Sequence, residues 1–178
     1  LIDGKIKTHG NLDYAIDLYL GENRINSQMF FAKSELKRNQ IKSITLKDPI
    51  NDLPKKRFFM NENIKIEIEV ISDKILENFD LSLRLNDQIN TKIASWRSSE
   101  LGIKLNMDYS KSIIIIIKNL NVFEGIYNFS VSLTKNDLAL DFIENAIEFE
   151  ILPAPVILKN KIIPKYNCLI YTESEWIC

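Results

Sequence analysis

The stretch Ile64-Lys65-Ile66-Glu67-Ile68-Glu69-Val70 alternates apolar and charged residues without a break. A period of two puts every second side chain on the same side of an extended chain, so this segment reads as a strand with one buried and one wet face. The alternation returns at Phe79-Asp80-Leu81-Ser82-Leu83-Arg84-Leu85, at Tyr127–Leu133 and at Ile147–Ile151. Isoleucine is abundant throughout, so its spacing is weighed rather than its frequency. Turn-forming residues separate the runs: Asp48-Pro49, Asn51-Asp52, Asn61-Glu62-Asn63, Asn86-Asp87 and Lys135-Asn136-Asp137. Strands are expected near 41–47, 64–71, 79–85, 90–96, 112–118, 125–133 and 142–151, with no long helix among them. Short strands at this spacing predict an all-β fold, an immunoglobulin-like antiparallel β-sandwich. Gly125-Ile126-Tyr127 opens the sixth strand, where a tyrosine commonly hydrogen-bonds back across the corner between sheets. The plainer reading makes Tyr127 an inward aromatic only.

Outside the sandwich the pattern changes. Leu1–Ile6 reads as a strand and an Asp-Gly turn, and Leu12, Ile16 and Tyr19 fall at helical spacing behind Asn11 and ahead of Gly21. The expected organisation is therefore a short helical remnant at 1–21, a linker at 22–40 and the sandwich at 41–178. Met29-Phe30-Phe31 marks one strand or docking segment within the linker. Residues 152–178 come after a complete sandwich. Pro153 and Pro155 interrupt them, and Cys168–Tyr171 is a candidate last strand for exchange with a second copy.

Composition narrows the function. The chain has 178 residues, a net charge of −1 and no long basic block, which argues against nucleic acid as partner. Its longest purely aliphatic run, Ile113–Ile117, is far shorter than the ~20 residues of a membrane-spanning helix. Two cysteines make no disulfide framework, and the single His9, read as an exposed loop residue, leaves no histidine-pair metal site. Phosphate-binding glycine motifs and a Gly-x-Ser-x-Gly elbow are absent, so no catalytic residue, cofactor or metal is assigned. The start at Leu1, with no signal peptide, reads as a piece of a longer protein.

Leu1, Asp3, Gly4, Gly10, Ile16 and Tyr19 stand where the nucleotide-binding domain of polysaccharide ABC transporter ATPases ends in a strand, a polar-Gly turn, a second Gly and a helix. The remainder of the chain resembles the C-terminal carbohydrate-binding domain of Wzt-type O-antigen exporters: the Asn63–Val70 and Phe79–Leu85 strands, a Leu-x(4)-Gly-x-Tyr corner from Leu120 to Tyr127, the Phe149 strand and a late Trp176. The resemblance implies a non-catalytic sandwich that recognises the terminal part of a lipid-linked polysaccharide at the cytoplasmic face of the membrane. It also implies homodimers formed through exchanged C-terminal strands and a transmembrane permease as partner. The tail from Lys159 to Cys178, rich in Lys and Asn and without glycine, departs from that pattern.

Sugar recognition needs an aromatic face for pyranose C–H groups and planar polar side chains for paired hydroxyls. Ala94-Ser95-Trp96-Arg97-Ser98-Ser99 holds both. By strand parity it neighbours Ser82, Arg84, Asn128 and Ser130, so the expected glycan site is a polar sheet face formed by these residues and Arg97 and rimmed by Trp96. The competing reading makes Trp96 a plug at the sandwich end or a dimer contact. Trp176 is read as packing, Glu67, Glu69, Glu148 and Glu150 as solvated rather than a glycosidase pair, and Asn128-Phe129-Ser130 as a chance sequon. Phe58-Phe59-Met60, after Lys55-Lys56-Arg57, is read as core aromatics rather than a lipid contact. Two further functions stand beside glycan recognition: a sandwich that binds protein and couples ATPase subunits, and a fragment of a carbohydrate-active enzyme.

Overall fold

The computed structural model describes residues 27–32, 37–154 and 170–171. The strand and helix expected at 1–21, His9, Trp176 and most of the C-terminal tail lie outside them. The described strands are β1 (Gln28–Phe30), β2 (Asn39–Lys47), β3 (Arg57–Phe59), β4 (Ile64–Ser72), β5 (Leu76–Asp87), β6 (Lys92–Arg97), β7 (Leu105–Met107), β8 (Ser110–Ile117), β9 (Gly125–Lys135) and β10 (Leu138–Leu152). One helical turn, Ser99–Leu101, follows β6.

Two sheets face each other. The smaller has the order β1-β2-β4-β8, and the larger β3-β10-β9-β5-β6 with β7 beside β5. All seven expected strands are present. β3 and β7, three residues each, are too short for a period to register, and β3 runs parallel to β10, so the larger sheet is mixed rather than purely antiparallel. β1 occupies the Met29-Phe30 segment and pairs with β2. Asn86 and Asp87 end β5 instead of forming its turn. Asp87 Oδ1 accepts from the amides of Ile89 and Thr91 and so closes the loop one step later.

The inward residues of the alternating strands make one core. Ile44, Leu46, Ile64, Ile66 and Ile68 from the smaller sheet meet Leu83, Leu85, Phe129, Val131 and Phe149 from the larger. Phe129 stacks on Phe149 with ring centroids 4.8 Å apart. Phe58 and Met60 are buried with them while Phe59 points outward, as strand parity requires. Tyr127 is both inward and bonded: its buried hydroxyl donates to the Phe123 carbonyl at 2.8 Å, and loss of solvent pushes its pKa up to about 12. At the far end of the sandwich Asp141, buried at 5% exposure, accepts from the Ile41 amide and from Lys37 Nζ, tying β10 to β2.

Two features of β10 shape the outer face of the larger sheet. Asn136 and Asp137, both with positive φ, make a two-residue turn from β9 into β10. Farther on, the register passes from Ile143↔Val131 to Ile147↔Phe129, so Glu144, Asn145 and Ala146 bulge opposite Ser130, with Asn145 at φ 50°.

Candidate functional site

Cross-strand partners point to the same side of a sheet, so the register reads out the composition of its outer face. Phe142↔Ser132, Ser132↔Ser82 and Ser82↔Arg97 form a row across β10, β9, β5 and β6. Next to it runs Ser130–Arg84–Ser95, and beyond that Glu148–Asn128–Asn86–Lys92. Arg97, Arg84, Ser82, Asn128 and Ser130 thus share one face, as strand parity requires.

Their availability differs. Asn86 Nδ2 donates to Asn128 Oδ1 at 2.9 Å and to Ser130 Oγ at 3.0 Å; Asn128 Nδ2 donates to the Asp87 carbonyl, and the Asn145 amide donates to Ser130 Oγ. Asn128 and Ser130 are buried, at 7% and 2% exposure, beneath longer neighbours and the β10 bulge. Their polar groups hold the sheet together. The hydroxyls of Ser82 and Ser132 and the guanidinium of Arg84, only partly covered, make no side-chain hydrogen bond within the described residues.

Arg97 is held in place. Its Nη2 donates to Asp137 at 3.0 Å and to Asp80 at 3.1 Å, while its enclosed Nε–H has no partner among the described residues. The β9–β10 turn delivers Asp137 to it. Burial pushes the Asp80 carboxyl upward, but hydrogen bonds from Ser99, Ser98 and Arg97 outweigh this and hold it below the usual aspartate value. Beside Asp80, a depression of about 370 Å³ is lined by Asn78, Ser99, Gly102, Ile103 and Lys104.

Trp96 lies on the other side of the sheet. It pairs with Leu83, whose side chain is fully buried, and its ring meets Phe129 edge-on at 6.5 Å. It is half-buried against the core at the open side of the sandwich. The aromatic on the polar face is Phe142, 46% exposed. Sequence reasoning passed over Phe142 because a bulge separates it from the regular alternation after Ile147 and another precedes it at Ala139/Asp141. Its signal was local: an aromatic between Asp141 and the polar Glu144-Asn145 pair.

No family profile matches the sequence, and no curated protein does so. Solved structures do. A crystal structure of the C-terminal domain of Wzt superposes on 91% of this chain and 95% of its own length at a TM-score of 0.65, with 10% sequence identity. The fold matches that of the Wzt C-terminal domain. At that identity the likeness to Wzt is one of backbone architecture, and the side chains of the polar face carry their own argument. Among the described residues no three His, Cys, Asp or Glu side chains converge on a possible metal position, and no helix is long and apolar enough to cross a membrane.

Proposed function

We propose that this chain is a non-catalytic glycan-recognition domain of a polysaccharide ABC exporter, gripping saccharide on the outer face of its larger sheet. The observation that carries the reading is the row Phe142–Ser132–Ser82–Arg97: an exposed aromatic and a clamped planar cation with open hydroxyls between them. Across four strands the row spans about 14 Å, three times the interstrand spacing, which suits a short run of sugar rings. Phe142 stacks on a pyranose face. Arg97 and Arg84 donate to ring hydroxyls, and Ser82 and Ser132 donate or accept. Because Asp80 and Asp137 hold Arg97 before ligand arrives, little side-chain freedom is lost on binding.

The Wzt-like fold supports the wider setting. In it, residues 1–21 end a nucleotide-binding domain, 22–40 link it to the sandwich, and the sandwich licenses export of a lipid-linked polysaccharide such as O-antigen at the cytoplasmic membrane face. The partners are the transmembrane permease and a second copy of the chain. The deciding experiment titrates the protein with the source organism's own polysaccharide. Affinity in the micromolar to millimolar range is expected, with Phe142→Ala and Arg97→Ala each weakening it about tenfold or more. A folded protein that ignores the polysaccharide is instead a sandwich that couples ATPase subunits.

A further inference from the structure

Strand β8 is the long margin of the smaller sheet. It pairs with β4 without a break from Ile71↔Ser110 to Ile64↔Ile117, and among the described residues no strand pairs with its other side. Five consecutive isoleucines, Ile113–Ile117, make up most of it. Ile113 and Ile115 lie opposite the fully buried Ile68 and Ile66, so they turn toward the core, yet they are only half-buried. Ile114 and Ile116, on the other face, are 53% and 50% exposed. A long apolar margin is a template for pairing, and natural sheets cover it or interrupt it with charge, proline or a bulge. The Ile113–Ile117 run carries none of these interruptions.

The chain beyond β8 shows where a cover comes from. The Leu120 amide donates to the Glu62 carbonyl at 3.3 Å, and the Asn61 amide donates to the Leu120 carbonyl at 3.1 Å. Residues 118–121 therefore prolong the line of β8 beside the approach to β4. Successive residues of an extended chain direct their backbone groups to opposite sides, and Asn121 finds its partner on the side away from β4. The Tyr171 amide donates to the Asn121 carbonyl at 3.1 Å, and Asn121 Nδ2 donates to the Tyr171 carbonyl at 2.9 Å. Val122 and Ile170 form an antiparallel bridge. Tyr171 is buried, its ring edge-on to Phe123 with centroids 5.5 Å apart. Ile170 and Tyr171 are thus seated beside the prolonged margin, and the antiparallel sense directs the next residues back toward Lys118 and Ile117.

We propose that the segment Thr172–Cys178 runs antiparallel along β8 of its own chain and closes this flank of the sandwich. Seven extended residues reach about 24 Å, enough to cover most of the path from Leu120 back to Ile113. The segment alternates as a margin strand should: Thr172, Ser174, Trp176 and Cys178 fall on one side, Glu173, Glu175 and Ile177 on the other. With the first row turned inward, Trp176 covers the half-buried Ile115, and the two carboxylates turn to solvent near the exposed Lys118. The strand is supplied within one chain. Leu152, which ends β10, accepts at its carbonyl from the Met60 amide, and the next residue, Asn61, bonds Leu120. The end of β10 and the seat of Tyr171 therefore share one end of the sandwich, a separation that the intervening residues span with chain to spare. The exchange between copies implied by the resemblance is not required to seat Tyr171. No ligand enters this inference, so it stands apart from the glycan reading.

The test places a nitroxide spin label on Cys178 of the full chain carrying Cys168→Ser and records its amide NMR spectrum. Broadening is expected at the Ile115, Ile116 and Ile117 amides. A second sample is refolded from a mixture of isotope-labelled chains without nitroxide and nitroxide-bearing chains without isotope. There the β8 amides should stay sharp. Broadening of β8 in the mixed sample would assign the strand to a second copy, and sharp β8 signals in both samples would put the segment elsewhere. Either result overturns the proposal. Deletion of residues 172–178 gives an independent measurement. Hydrogen exchange of the β8 amides that point away from β4 should quicken by about tenfold or more, while β4 keeps its protection and the mass in light scattering changes only by the residues removed. Unchanged exchange on β8, or a dimer that falls to a monomer, overturns the assignment.

Discussion

On β9, Asn128 and Ser130 lie under Asn86 and the β10 bulge with hydrogen bonds supplied from within the sheet. On β2, Ser43 and Thr45 are about equally buried, and their hydroxyls make no side-chain hydrogen bond to a described residue. Both pairs arise from the same alternating pattern on the outer side of a sheet. The difference lies in the neighbours. A second amide and an extra loop of strand satisfy the first pair, whereas the second is flanked by side chains that rise past it. Burial of a polar residue on a sheet face therefore has two meanings: a network that holds strands together, or the floor of a trough.

Four substitutions sharpen that contrast. The largest effect is expected from Trp96→Ala, which removes a half-buried ring from the Phe129 edge and should lower unfolding free energy by about 3 kcal/mol in urea. If Trp96 instead serves ligand, stability will hold and polysaccharide affinity will fall. Asn86→Ala deprives Asn128 Oδ1 of its donor and should lower stability by about 2 kcal/mol by the same measurement.

Asp80→Asn probes the Arg97 clamp. The Asp80 carboxyl titrates below its ordinary value in the fold, so its contribution is complete above that value and disappears as pH falls through the lower, folded one. The variant should be less stable by about 0.5 kcal/mol at neutral pH and equal to the parent in strong acid, as denaturant curves across pH would record. The smallest change belongs to Thr45→Val. Replacing a hydroxyl that makes no hydrogen bond to a described residue with methyl should leave stability within about 0.5 kcal/mol. A loss matching that of Asn86→Ala would mean the Thr45 hydroxyl is already satisfied, and the contrast between the faces would fall.

The strands whose alternation runs unbroken were legible in the amino-acid order. β4, β5 and β9 lie where their period of two places them, and the Tyr127 corner agrees with the glycine ahead of it. The shared face of Ser82, Arg84, Arg97, Asn128 and Ser130 also results from parity once β5, β6 and β9 join one sheet. Parity alone placed Trp96 poorly. The segment from Ala94 to Ser99 is too polar to show which side faces the core, and only the Leu83 register decides it. Phe142 was hidden by the bulges around it, which interrupt the count that parity relies on.

Alternation is a local property, set by the extended backbone, so the amino-acid order by itself determined the all-β class, the seven principal strands and the residues that line the core. Which strands become neighbours, where β10 bulges and which outward hydroxyls find a donor depend on contacts between residues far apart in the chain. Those contacts decided that Asn128 and Ser130 are internal, that Arg97 is clamped by a turn 40 positions away, and that Ser43 and Thr45 lie at the bottom of a trough.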